Sequence, residues 1–256
     1  AKILGKYIKE NFSDKKVGIL YQTDDFGRNT VEGLKTQGVT FIPKQTAATF
    51  IAGTQANGLD AQMTQLRDNK VEVVVVGAVA SAFAKAVRSA NKIGYKPAKW
   101  IVISVGSDAT TYQTIRFTDG TGLADSAKEL EGVISASHAP SPGEADDVFV
   151  KAFKKINDDF NKGPDKRWDN NVLQGMNIGY LTTAALLGTG KNLTRPGIIK
   201  YIENNGKKLS NAALAPLGFS AKTHEAYTGF WIGKYDATTA LKPIDGTRKV
   251  WTTDSG

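Results

Sequence analysis

The segment Val71–Val76, VEVVVV, limits what this chain can fold into more than any other stretch. It is almost entirely β-branched, which suits a pleated strand, and it places apolar side chains on both faces. A strand of that kind has to be covered on both sides, so it belongs in a parallel sheet inside an α/β layer arrangement. Gly77 ends the run, and Ser81 is placed to cap a helix whose apolar positions are Phe83, Ala84, Val87, Ala90 and Ile93. Gly94 is then expected to close that helix in a left-handed cap, and Trp100–Val105 returns as the next strand. The unit reads as βαβ. Its strands end in small residues at 77–81 and 104–107, and in open α/β sheets ligands bind outside the carboxyl ends of the strands.

The same rhythm precedes this unit. Ile3, Leu4, Tyr7 and Ile8 recur at helical spacing within Ala1–Phe12, which has no cap before it and reads as a start cut from a longer chain. A strand is expected over Val17–Tyr21, followed by a helix carrying Val31 and Leu34 that stops at Gly38. A short strand over Val39–Ile42 broken by Pro43, an irregular stretch over Thr46–Gly58 and a helix over Leu59–Asn69 lead to Val71. Alternation of this kind predicts a right-handed, mostly parallel sheet with helices on its faces.

After Val105 the pattern changes. Asp108–Leu130 reads as a loop with a short helix, Gly132–Ser137 as an extended crossing segment. Three helices follow with little strand between them. Ala145–Phe160 carries Phe149, Phe153, Ile156 and Phe160 on one stripe; Asn171–Leu187 is apolar over most of its surface and is expected to be deeply buried. Thr194 caps the third, with Pro196 in its first turn and its end before Gly206. Leu217–Ser220 and Tyr227–Tyr235 read as strands, with an irregular coda from Ala237.

A chain of 256 residues has ample length for a core, and 41% apolar with 23% charged residues is an ordinary globular balance. The net charge of +8 is scattered, with no basic run longer than two residues and no interleaved aromatics, so a nucleic-acid partner is not expected. The absence of cysteine excludes disulfides and thiolate chemistry. No apolar stretch of about 18 residues and no signal-peptide pattern is visible, so the sequence predicts neither a membrane span nor an address. His138 and His224 lie outside any ligand-spaced cluster, the glycines of Asp119–Gly122 lack a dinucleotide fingerprint, and no metal or cofactor is called for. Trp100, Trp168, Trp231 and Trp251 share no spacing and read as packing residues. Asp24 and Asp25 are adjacent, so they cannot form a carboxylate pair on an extended segment; a turn or helix cap and contact with a ligand amine are both open to them. No acid, base, nucleophile or metal constellation marks an enzyme.

Several segments together resemble a known family. They are VGILYQTDDFGRNTVEGLK, the strand ending in GAVASAFAKAVRSANKIGYKP, VISVGS, the crossing EGVISAS and the late PLGFSAKTHEAYTGFWIGKYD. In this order they resemble the type I periplasmic, or extracellular, solute-binding proteins of ABC importers, nearest to the branched-chain amino acid group. The resemblance covers nearly the whole chain and implies an α/β fold of two lobes joined by three crossing segments. Residues 1–132 and 230–256 would form the second lobe, and residues 133–229 the later half of a first lobe whose early half is absent. It also implies capture without catalysis. The expected partners are a small-molecule ligand and an ABC permease, with no nucleic acid and a monomer at full length, in the periplasm or outside the cell, including as a surface lipoprotein.

The family's second-lobe contacts map onto three strand-end loops. Asp25 and Phe26, before Gly27, fall on the first; Ala78, Val79 and Ala80 on the second; Ser104, Val105 and Gly106 on the third, with Asp108 close by. The third loop in this family often carries an acid for an amino-acid ammonium. None stands at that point here, which turns the expectation from a plain branched-chain amino acid toward amides, hydroxylated or aromatic acids. Two alternatives remain beside importer capture: a ligand-binding sensor of the same fold, and an α/β enzyme using Asp24, Asp25 or Asp108.

Overall fold

A computed structural model describes residues 1–42, 48–50 (backbone only), 58–117, 119–164, 166–191, 193–244, 246 and 248–252. The chain divides into two compact units. Unit 1 takes Ala1–Ala136 and Ile232–Arg248; unit 2 takes Ser137–Trp231 and the residues from Lys249.

Unit 1 contains α1 (Lys2–Asn11), β1 (Val17–Gln22), α2 (Asp25–Lys35), β2 (Ala48–Phe50), α3 (Asp60–Asp68), β3 (Val73–Gly77), α4 (Ala80–Lys92), β4 (Lys99–Val102), α5 (Ala109–Thr114) and α6 (Ser126–Leu130). The chain leaves it through β5 (Ile134–Ser137). In unit 2 lie α7 (Val148–Phe160), α8 (Asn170–Thr189) and α9 (Arg195–Asn205). The chain returns through β6 (Gly229–Tyr235), continues as β7 (Leu241–Pro243) and ends in β8 (Val250–Thr252).

The sheet has the order β2-β1-β3-β4-β5-β6-β7. β3 sits between β1 and β4, parallel to both, with Ile19 opposite Val75 and Val75 opposite Ile101. Every residue of β3 is buried, as the run of valines requires. Its covers are amphipathic helices: Val31 and Leu34 of α2, Met63 and Leu66 of α3, and Phe83, Ala84 and Val87 of α4 are all buried. Parallel pairing of β1, β3, β4 and β5, joined by helices, makes this the α/β arrangement expected from the alternation. β7 adds an antiparallel edge on β6.

Several local expectations need correction. Gly94 does close α4: its φ is +69°, its N–H donates to Asn91 O and the Tyr95 N–H to Ala90 O, both terms of a Schellman motif. Ser81, however, is not the cap; the helix begins at Ala80 and Val79 precedes it. The strand expected over Trp100–Val105 stops at Val102, and Ser104–Ser107 winds into a 3-10 turn. Val39–Ile42 forms no strand, although the Ile42 N–H donates to Val17 O at 2.8 Å. β2 instead comes from Ala48–Phe50, within the stretch read as irregular; Pro43 and the remainder of that stretch up to residue 57 lie outside the described residues. Asp108–Leu130 holds two short helices, and the coda from Ala237 holds β7 and β8. β-propensity is weak evidence for such edges, because pairing and cover decide them.

In unit 2, Val150, Phe153, Leu173 and Ala212 form a core, with Phe149, Trp168 and Met176 packed against it. Thr194 caps α9 by accepting from the Gly197 N–H at 3.1 Å, as the sequence predicted. Asn177, fully buried on α8, accepts from the Ala212 N–H and donates to the Tyr227 hydroxyl. Beyond Leu173, Asn177 and Ala185, α8 is not deeply buried. Ile178 is 58% and Leu187 77% exposed, and the α7 stripe ends in Phe160 at 80%. Periodicity identified these helices but says nothing about whether a cover is present. The His138 ring stacks on Tyr227 with centroids 3.8 Å apart and is hydrogen-bonded to Gln174 at 2.9 Å.

Two glycines illustrate opposite reasons for the residue, and substitution separates them. A Cβ on Gly94 meets nothing within 4 Å, so Gly94→Ala costs only the left-handed backbone, about 1–2 kcal/mol. A Cβ on Gly27 would overlap the carbonyl of Gln22. Gly27→Ala therefore has to displace backbone, and its melting temperature should fall well below that of Gly94→Ala. Burial pushes the His138 imidazole below its ordinary value, partly offset by Gln174. The unfolded chain thus takes up the proton first as pH falls, and stability present above about pH 6.5 is lost below it. Burial raises the Glu129 carboxyl and works in the opposite sense. Thermal unfolding between pH 7 and 5 should fall more steeply in the native protein than in His138→Phe, which keeps a ring but cannot titrate.

Candidate functional site

The carboxyl ends of β1, β3 and β4 are adjacent in the sheet, about 4.8 Å from strand to strand. The first loop is set by Asp24, which caps α2: its Oδ1 accepts from the Gly27 N–H at 3.0 Å. That bond, with a second from Gln22, holds the Asp24 carboxyl below its usual range. Of the two roles open to this pair, Asp24 thus takes the cap. Asp25 opens α2 with its side chain almost wholly in solvent and pairs with the Arg28 guanidinium at 2.8 Å. Phe26 follows, 36% exposed. Gly27 lets α2 begin directly over the Gln22 carbonyl, a close approach that any side chain would prevent.

The second loop is locked to the first. Gln22, 5% exposed at the end of β1, accepts from the Val79 N–H at 3.3 Å and donates to Asp24 Oδ2 at 2.6 Å. Ala78 and Ala80 are buried and Val79 between them is 38% exposed. The third loop rests on the second, since Gly106 lies against the Ala78 carbonyl with no room for a Cβ. Ser104 and Val105 point outward, Val105 56% exposed, while Gly106 and Ser107 are buried.

Asp108 is only 7% exposed. Its Oδ1 accepts from the Thr111 N–H at 2.7 Å at the start of α5, and its Oδ2 is shut off from solvent without a hydrogen-bond partner. Behind it, the Tyr235 hydroxyl donates to Ser107 O at 2.5 Å, and Ser107 Oγ and Ser135 Oγ are 2.8 Å apart. Burial pushes the Tyr235 phenol up to about 12, with the Asp108 carboxylate adding to the effect. These hydroxyls tie the third loop to β5 and β6.

The nine residues picked from the sequence therefore lie on three loops, the second in contact with the first and with the third. Phe26, Val79, Ser104 and Val105 face outward with Asp25; Ala78, Ala80, Gly106 and Asp108 form the packed floor. Sequence reasoning missed Gln22, Ser107 and Tyr235, which hold the loops together. Gln22 had a signal, a polar residue closing an apolar strand where the loops begin; Ser107 and Tyr235 are joined only through the fold. Among the described residues no group of acids and histidines is placed to hold a metal, and no helix is long and apolar enough to cross a membrane.

Comparison with known proteins follows the same lines. The chain is similar, at 18% identity and a TM-score of 0.77, to a branched chain amino acid ABC transporter protein from Thermus thermophilus solved with bound valine, covering 99% of this chain and 65% of that one. It is similar at 16% identity (TM-score 0.74; 93% and 61% covered) to a possible leucine/isoleucine/valine-binding protein from Rhodopirellula baltica. A fatty acid ABC transporter substrate-binding protein from Thermomonospora curvata matches at 15% identity, TM-score 0.73, with 99% and 63% covered. The chain thus spans a little under two thirds of the length of these structures, and at such identities the likeness speaks for the fold. No curated protein matches in sequence. The family model described as periplasmic binding protein matches residues 1–240. With that match over nearly its whole length, on the fold and strand-end loops described above, the chain belongs to the periplasmic binding proteins, a family of binding proteins rather than catalysts.

Proposed function

We propose that this chain is the larger part of the solute-binding component of an ABC importer. It captures a small amino-acid-like, amide or aromatic acid ligand between two lobes and delivers it to a membrane permease. The observation that carries this reading is the meeting of three strand-end loops at β1, β3 and β4 in a member of a binding-protein family. In the proposed arrangement residues 1–132 and 230–256 supply one lobe, and residues 133–229 the later half of the other. The exposed apolar side chains Phe160, Ile178 and Leu187 support the second assignment, since helices with such faces lie against a further layer. The protein works in the periplasm or at the outer cell surface. Capture acts through population: a ligand that prefers the closed form stabilises it by that preference, and the closed form is what docks on the permease.

One similar structure holds bound valine and another is a fatty acid substrate-binding protein. Both lie within the small organic acids, which sets the first panel to be tried on the protein at its natural length. A ligand at a hundredfold excess over its Kd should add about 2.7 kcal/mol to stability and raise the melting temperature by several degrees. It should be recovered chemically unchanged; its conversion would establish the α/β enzyme reading instead. Gln22→Ala leaves the Val79 N–H and Asp24 Oδ2 without their partner, and affinity measured by calorimetry should drop about tenfold.

A further inference from the structure

Behind the third strand-end loop, buried hydroxyls reach two strands at which the chain passes between the units. β5 leaves unit 1 after Ala136, and β6 re-enters it at Ile232. Ser135 on β5 and Tyr235 on β6 are buried, and both meet the buried Ser107 at the end of the loop. Tyr235 is tied in two directions. Its hydroxyl donates to Ser107 O at 2.5 Å. Its backbone accepts from the Gly132 N–H at 2.8 Å and donates to Val133 O at 2.9 Å, where the chain enters β5.

A serine hydroxyl has one proton to give. That of Ser135 goes to Val102 O at 2.7 Å, at the end of β4. That of Ser107 has two acceptors in reach, Ser135 Oγ at 2.8 Å and Ser104 O at 3.1 Å, and serves one at a time. Directed to Ser135, it fastens the loop to β5. Directed to Ser104, it closes the 3-10 turn on itself and lets go of that strand. The two positions differ by one neutral hydrogen bond, a population ratio of roughly ten or less, so both are within thermal reach. The neighbouring anchors of the loop lie elsewhere: Gly106 rests against the Ala78 carbonyl, and Asp108 accepts from the Thr111 N–H of α5.

We propose that Ser135 and Tyr235 are positioning residues of the third loop, acting through Ser107, and that the Ser107 hydroxyl is a two-position switch coupling this loop to β5 and β6. A shift of the loop changes which acceptor Ser107 serves and is felt in β5; a shift of β5 reaches the loop through the same bond, because coupling between two sites is reciprocal. The use of the switch rests on the proposed function, in which an event at a strand-end loop has to be passed to the strands leaving the unit.

The test is hydrogen exchange, followed amide by amide, on the ligand-free protein at its natural length. The Val75 amide at the centre of β3 serves as the reference for global unfolding. Tyr235→Phe and Ser135→Ala are each expected to speed exchange of the Gly106 and Ser107 N–H groups, which donate to Ile103 O, by about fivefold or more beyond any change at Val75. Ser107→Ala is expected to act in the reverse direction, speeding exchange of the Tyr235 N–H beyond Val75. Loop amides that merely follow Val75 in the Tyr235 and Ser135 variants, or a Tyr235 amide that follows it in Ser107→Ala, would overturn the proposal and reduce these hydroxyls to general stabilisers. Melting temperatures report that each variant folds; should Tyr235→Phe fail to fold, the two serine variants decide. No ligand enters the experiment, so a negative result leaves the binding-protein reading standing, and a ligand panel without a hit removes that reading but not a measured coupling.

Discussion

A β-branched strand buried on both faces cannot exist alone, and most of unit 1 follows from that requirement. β3 needs strands at both edges to pair its backbone and helices above and below to exclude water from its valines. β1 and β4 supply the edges, and α2, α3 and α4 carry the apolar faces that close over it. Parallel pairing then puts the carboxyl ends of three neighbouring strands at one end of the sheet. The three strand-end loops lie there because the connections leaving parallel strands all emerge together, and small residues let those connections pack backbone against backbone.

The polar groups of this end are spent on architecture. Gln22 fastens the first loop to the second, Asp24 and Asp108 cap helices, and Ser107, Ser135 and Tyr235 tie the third loop into the sheet. Phe26, Val79 and Val105 face outward, beside Ser104 and Asp25. The arrangement has a physical logic: polar atoms shut off from water are stabilised by partners inside the protein, and Gln22, Asp24 and Ser107 have them.

Unit 2 is organised by another balance. Its core around Phe153 and Leu173 is small, its polar order depends on Asn177 bridging to Ala212 and Tyr227, and long apolar stretches of α7 and α8 lie open. The structures this chain resembles in fold are about half as long again. Helix formation here needs little from that cover. Caps at Asp147, Asp169 and Thr194 and a modest core define the helices, while the burial of their outer faces is a separate matter.

Much of this was legible before any fold was known. The valine run implied a covered parallel strand, Gly94 a left-handed helix end, and Thr194 with Pro196 a helix start, because each depends on local geometry or periodicity that a short segment carries in full. A resemblance carried by several segments in order, rather than any local geometry, led to the family that the family model then matched. Tertiary structure decided the remainder. It placed β2 at Ala48–Phe50 rather than Val39–Ile42, ended β4 at Val102, and left α8 half open, since pairing partners and cover are properties of the whole chain. It turned Asp108 inward and left Phe26, Val79 and Val105 outward, a choice no spacing could make. Which atoms of a loop face solvent is settled by long-range packing, here by Gly27 against Gln22, Gly106 against Ala78 and Tyr235 against Ser107.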